Sequence, residues 1–360
     1  MPEEHTSDGS LRATGLLAGL GASIPLVAAP MAGGPSTPAL VLAAAEAGGL
    51  GFLAAGYKTP DQLAEQIAQV RSGTERFGVN VFAPNPVPVE RAAFDAYAGA
   101  LRELAAGYGV DLDGVEPRED DDEWDAKVEL LAGDPVPVVT FTFGLPDADT
   151  VRRLRRAGSL VLQTVTNPDE AKRAAALGVD GLVVQSYLAG GHSGTLTPDA
   201  PLAEVPLPEL LGRVHAEVDL PLWAAGGLST SAGIHEALTA DAEAVVLGTV
   251  LLRTPESGAS APYKAALADA AGIEPGSTDT LLTRAFSGRP ARALHNRFVD
   301  RFNGQAPAGY PALHHLTSPI RKAAATAGDP EGINIWAGTG YRDATEESAA
   351  DLLRRLAGVG

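Results

Sequence analysis

Eight short apolar runs, each followed by an alanine-rich stretch of helical character, set the tightest limit on what this 360-residue chain can become. The runs are residues 26–29, 51–55, 77–82, 136–143, 160–165, 181–186, 222–225 and 244–247. Several are apolar almost throughout, as in Val136-Pro137-Val138-Val139. Strands read this way when both faces are buried, the condition of a parallel sheet covered by helices. The helices mark their own starts. Thr37-Pro38, Thr59-Pro60 and Asn167-Pro168 each set a capping side chain before a proline at the first helical position. Gln62 follows Thr59, and Glu170 follows Asn167, at the spacing of a capping box. Eight such units can close on themselves, so the expected fold is an α/β (β/α)₈ TIM barrel. A doubly wound open sheet is the alternative. It lacks support, because no Gly-x-Gly-x-x-Gly element follows an early strand.

Two segments exceed what a minimal β-α unit requires, residues 84–135 and 252–342. The second holds a helical stretch at 263–271 and a basic, polar stretch at 280–302. Additions of this kind build the mouth of a barrel. The expected organisation is a barrel over 15–255, a helical or irregular extension or lid over 256–342, and a closing segment over 343–360. Within that last part, residues 346–356 read as an amphipathic helix that packs on the barrel.

Composition narrows the function. The chain has no cysteine, which excludes disulfides, thiolate metal sites and a cysteine nucleophile. A formal net charge of -18 repels phosphate backbones, so no nucleic-acid partner is expected. Part of that charge sits in Glu119-Asp120-Asp121-Asp122-Glu123, expected as a solvated loop or helix start. Residues 1–10 are polar and acidic and carry no targeting pattern, and no apolar run is long enough to span a bilayer. A cytoplasmic protein without a membrane partner is expected.

In a barrel the chemistry lies on the loops that follow the strands. Ala29-Pro30-Met31 follows the first. Asn80 lies in the third, Gln163 in the fifth and Gln185 in the sixth. Gly226-Gly227 follows the seventh, and Leu247-Gly248-Thr249 spans the end of the eighth. Glycine pairs there serve tight turns or let backbone N–H groups approach an anion. Two pairs in the paired seventh and eighth positions favour a phosphate. The three amides suit a flat, polar, neutral ring, although each alone could equally anchor a loop. His192 stands among Gly190, Gly191 and Gly194 directly after the sixth strand, which marks it as a candidate catalytic residue. No second ligand lies at metal spacing, so no metal is expected.

These residues resemble the nitronate monooxygenases, once called 2-nitropropane dioxygenases. The resemblance runs through Ala29-Pro30-Met31-Ala32-Gly33-Gly34, Phe77-Gly78-Val79-Asn80, Ala189-Gly190-Gly191-His192, Ala225-Gly226-Gly227 and Gly248-Thr249. It continues in Ser287-Gly288-Arg289-Pro290-Ala291-Arg292, with Asn296-Arg297-Phe298 behind it. The resemblance implies a flavoenzyme with non-covalent FMN, contacted by Met31, Asn80, Gln185, Gly190, Gly227, Gly248 and Thr249. An alkyl nitronate, or a nitroalkane, would be oxidised with consumption of dioxygen to a carbonyl compound and nitrite. His192 would act as base or steer the anion. Tyr263, Lys264 and Tyr310 are candidates for the pocket wall. The Ala-Gly-Gly-His element also occurs in related flavin-dependent enoyl reductases. An NAD(P)H-dependent FMN enoyl or quinone reductase is therefore the alternative, and a catalytically silent flavin-binding barrel a third. The chain departs from the family at Ser186, Leu188 and Ser193, where the pattern resembles glycine, glutamate and arginine. Leu188 and Ser193 are accordingly expected in the substrate pocket, with two charges removed from beside His192.

Overall fold

The computed structural model describes residues 10–274 and 280–359. The N-terminal stretch read above for targeting signals lies outside the described residues, apart from Ser10. Eight parallel strands close a barrel: β1 Leu26–Ala28, β2 Leu50–Ala54, β3 Phe77–Ala83, β4 Val138–Phe143, β5 Leu160–Val165, β6 Gly181–Gln185, β7 Leu222–Ala225 and β8 Ala244–Leu247. Closure comes from β1 pairing with β8 in the register Leu26 to Val245, Val27 to Val246 and Ala28 to Leu247. The expected strands are all present, with ends shifted by at most two residues. The barrel interior is filled by Val27, Leu50, Phe52, Val138, Leu162 and Trp223, and a larger apolar layer packs between strands and helices.

The helix starts behave as their sequences require. Thr59 and Gln62 form a complete capping box, each side chain accepting the other residue's backbone N–H. Thr37 Oγ1 accepts from Leu40 N at 3.1 Å. Asn167 accepts from Glu170 N at 2.9 Å, but the Glu170 carboxylate does not return to Asn167. It turns to Thr166 N, Thr195 Oγ1 and Leu196 N at 2.6, 2.7 and 2.8 Å, and so ties down the segment after His192. The closing helix Ala349–Leu356 packs against Pro38–Glu46, with Arg354 reaching Glu46 at 2.9 Å.

Both added segments share a second core above the barrel. Helices Arg91–Gly107, Arg297–Phe302 and Ala312–Thr326 bury Phe94, Tyr97, Phe286, Phe298, Phe302 and Leu316 together. Each such side chain contributes about 1.5–3 kcal/mol on burial. The stretch at 280–302 was expected to be basic and polar by composition. It folds as a ribbon, Thr280–Thr283 antiparallel to Ala291–Leu294, whose outer edge pairs with Gly191–His192. Arg289 and Arg292 within it are buried. The His192 loop is thus the third strand of a small sheet. Among the described residues, no helix is long and apolar enough to cross a membrane.

Candidate active site

A cavity of about 1270 Å³ opens at the C-terminal ends of the barrel strands. It exceeds the roughly 300–1,000 Å³ of a single small-molecule site, leaving room for a cofactor and a substrate. Ala29, Pro30 and Met31 line it, as do Asn80, Gln185, Gly190, Gly191 and His192. Gly226, Gly227, Gly248, Thr249, Tyr263 and Tyr310 line it too.

The inner end is built for close approach to backbone. Gly226 and Gly227 have φ of +100° and +77°, the left-handed region that favours glycine. A Cβ on Gly226 would stand 2.8 Å from Ser186 Oγ, and one on Gly190 2.5 Å from Gly338 N. Thr249 Oγ1 accepts from Gly338 N at 3.0 Å, joining this end to the chain at Trp336–Gly340. Asn80 donates its amide to Thr140 Oγ1 and Thr142 Oγ1, both at 2.9 Å. What it offers a ligand is its carbonyl oxygen. Gln185 holds both arms of the His192 turn, donating to His192 O at 3.3 Å and accepting from Gly194 N at 2.7 Å.

His192 Nε2 lies 2.8 Å from Ser287 Oγ. Phe143, Trp336 and Tyr310 surround its ring, with centroids at 5.6, 5.2 and 5.9 Å. Burial, then the charges of Arg289 and Arg321, pushes its pKa down from 6.5 to about 3, so the imidazole is neutral at physiological pH. Arg289 is fully buried, with its guanidinium carbon 4.2 Å over the Phe143 ring. It donates to Ser193 O at 3.4 Å and to Thr195 O. Tyr57 stacks on His314 at 4.0 Å and meets the Tyr310 hydroxyl at 3.3 Å. Four non-glycine residues at positive φ line the cavity, namely Tyr57, Asp122, Glu123 and Phe143. Such strain persists where surrounding contacts hold a residue in a special direction.

Five sequence expectations are corrected here. Gln163 and Leu247 point away from the cavity, because side chains alternate along a strand and their neighbours Thr164 and Val246 face it. Gln163 instead donates to Gly144 O at 3.1 Å and Thr164 O at 3.0 Å. Ser193 follows the inward-facing His192 and so lies on the opposite face of its strand, buried beside Arg289. Leu188 packs behind Gly227, where a glycine Cβ would come within 3.0 Å of it. Lys264 donates to Thr254 O at 2.7 Å and does not line the cavity.

The acidic run is also not simply solvated. Asp122 accepts from Tyr57 N at 2.9 Å and pairs with the fully buried Lys127 at 2.7 Å. Asp120 lies 2.7 Å from Arg118 and 3.1 Å from His315. The run leads into helix Trp124–Gly133 and forms one wall of the mouth. Sequence reasoning missed Tyr57, Phe143, Glu170, His314, Arg321 and Trp336. One signal was present: His314, His315, Ser318, Arg321 and Lys322 recur at helical spacing and form the cavity face of Ala312–Thr326.

Half-buried histidines held neutral carry a consequence for stability. His192 is held near 3 and His314 well below 6.5, chiefly by burial. Below pH 6.5 the unfolded chain therefore binds more protons than the native state. This stabilisation is complete above that pH and is lost on acidification, at about 1.4 kcal/mol per pH unit for each histidine. The melting temperature should fall steadily from pH 7 to about pH 5, and His192→Asn should reduce the slope. A flat profile over that interval would show that neither imidazole is held neutral.

The comparisons with known proteins agree on one family. The family profile described as nitronate monooxygenase matches residues 16–358. A probable nitronate monooxygenase from Staphylococcus aureus (strain Newman) is 34% identical over 337 residues, spanning 92% of this chain and 93% of the relative. The structure of nitroalkane oxidase from Streptomyces ansochromogenes is 48% identical, with a TM-score of 0.86 over 92% of this chain and 94% of that one. FabK from Thermotoga maritima is more distant, at 26% identity and a TM-score of 0.69 over 92% and 90% of the two chains.

Proposed function

From the membership of this chain in the nitronate monooxygenase family, we propose that it binds FMN and oxidises alkyl nitronates, or the parent nitroalkanes, with dioxygen to carbonyl compounds and nitrite. The observation that carries this reading is the convergence on one cavity of the glycine cradle after β7 and β8, the Asn80 and Gln185 amides, and a half-buried, neutral His192. The cradle suits one phosphate. Bound flavin would supply the two-electron acceptor and pass electrons on to dioxygen. The chain's own residues position and protect. Gly226, Gly227, Gly248 and Thr249 would hold the phosphate end, while Met31, Asn80 and Gln185 would border the ring. Phe143, Trp336 and Tyr310 would wall the side of His192 that faces away from the substrate. His192 would accept the α-proton of a neutral nitroalkane. Arg289 and Arg321 disfavour the imidazolium, but they favour the nitronate anion formed beside it, so the two effects offset within the pair.

The purified protein should be yellow and release FMN, not FAD, on denaturation, as chromatography of the supernatant will read. Gly226→Ala should lose most of its flavin, because the new Cβ strains a φ of +100° and meets Ser186 and Ala189 within 2.9 Å. Anaerobic mixing tests the reaction. Bleaching by ethyl nitronate supports it; bleaching by NADH or NADPH alone would assign the site to a reductase. Recovery of stoichiometric FAD would overturn the FMN assignment.

A further inference from the structure

The outer half of the cavity is rich in charge, and part of it is matched internally. Asp120 is taken up by Arg118 and His315, and Asp122 by Lys127. Arg321 is different. It lines the cavity and, among the described residues, meets no carboxylate within ion-pair distance. Its guanidinium is held in place by neutral acceptors alone: Thr317 Oγ1 at 3.2 Å, Asn334 Oδ1 at 3.0 Å, His314 O at 3.1 Å and His314 Nδ1 at 3.3 Å. Thr317 is itself anchored to Phe286 O. Lys58, also on the cavity wall, likewise donates only to a backbone carbonyl, Ala54 O, at 2.7 Å.

A fixed cation whose hydrogen bonds all go to neutral groups keeps its full charge for whatever enters the chamber, and low-dielectric walls strengthen that charge. The geometry points to Arg321 as a specificity-determining residue that makes the substrate chamber select the anionic nitronate over the neutral nitroalkane. This deepens the reading given under Proposed function and rests on it. Because the neutral partners use most of its N–H groups, Arg321 acts mainly through its charge. Its influence already reaches the neighbouring groups, since it helps to keep both His192 and His314 neutral. Asp120 and Asp122 are committed to other cations, and among the described residues Glu119, Asp121 and Glu123, which also line the mouth, make no ion pair with Arg321. The helix face that carries it is fixed by the second core through Leu313, Leu316 and Ile320, so the charge stays where it is placed.

The test uses the holoenzyme and inorganic nitrate, a planar trigonal oxyanion shaped like the nitronate group. Calorimetry should show wild-type protein binding nitrate, and nitrate should compete with ethyl nitronate in steady-state assays. Arg321→Gln should weaken nitrate binding and raise KM for the nitronate by about 10-fold or more, with kcat little changed and KM for nitroethane moved by less than about 3-fold. Arg321→Lys should recover most of the loss. Arg301→Gln, which removes an equal charge from an exposed site paired with Glu103, should change neither. Nitrate affinity unchanged in Arg321→Gln, or equal KM shifts for both substrates, would overturn the assignment. Should Arg321→Gln not fold, wild-type protein that fails to bind nitrate, or binds it without competing with the nitronate, would overturn it equally. Failure of the functional reading looks different: wild-type flavin would not bleach with nitronate, whatever nitrate does.

Discussion

His192→Asn should lower kcat/KM for nitroethane by roughly 10²–10⁴-fold while leaving oxidation of preformed ethyl nitronate within about tenfold of wild type. The asymmetry follows from where the proton is. A neutral nitroalkane must lose its α-proton before it can give up electrons, whereas a nitronate has already lost it. The neutral state of His192, enforced by burial and by the charges of Arg289 and Arg321, leaves its ring able to accept that proton. Asparagine stops short of Ser287 Oγ, which lies 2.8 Å from His192 Nε2, but the loop keeps its pairing with Ala291–Arg292 and its two bonds to Gln185, so it should hold its shape. Flavin content of the variant guards against a folding artefact. Equal losses with both substrates would make His192 a binding or structural residue and not the base.

The barrel was legible because its signals are local. A run such as Leu222–Ala225 can be read without knowing what lies across the sheet, and Thr59 with Gln62 specifies a helix start within four residues. The tight glycine turn after β7 was legible for the same reason, since Gly226 and Gly227 announce a backbone that side chains cannot follow. The direction of a side chain was harder. Gln163 and Ser193 lie in the expected places along the chain but on the wrong face, because one residue of phase on a strand inverts the side. The rest of the site was beyond local reading. Ser287 and Trp336 meet His192 only because the ribbon at Ala291–Leu294 pairs with Gly191–His192, a contact across about a hundred residues. Asp122 belongs to a run whose composition points to solvent, and the buried Lys127 together with the distant Tyr57 N–H draws it in.

Ser193→Arg, which restores the arginine of the resembled family pattern, should destabilise this protein by about 3–5 kcal/mol and should not retune its substrates. From sequence alone the position looked like an open place in the pocket. In the fold Ser193 is buried, its N–H donates to Pro290 O at 2.9 Å, and its carbonyl receives Arg289 Nε at 3.4 Å. A second guanidinium there would face the first at close range in a low-dielectric site, and Arg289 Nη1 already lacks a hydrogen-bond partner among the described residues. Against a total stability of about 5–15 kcal/mol, a loss of that size should appear as aggregation or a melting temperature lower by several degrees. Ser193→Ala, which removes only a weak 3.4 Å acceptor for Thr195 N, should melt close to wild type. Leu188→Glu tests the companion position. Leu188 packs behind Gly227 and Ser193 packs against Arg289, so the two share no partner. The double variant should therefore be additive within about 0.5 kcal/mol. A double variant clearly more stable than that sum would mean that an ion pair can form between the two positions. A Ser193→Arg protein as stable as wild type but with an altered ranking of nitronates would return Ser193 to the substrate pocket.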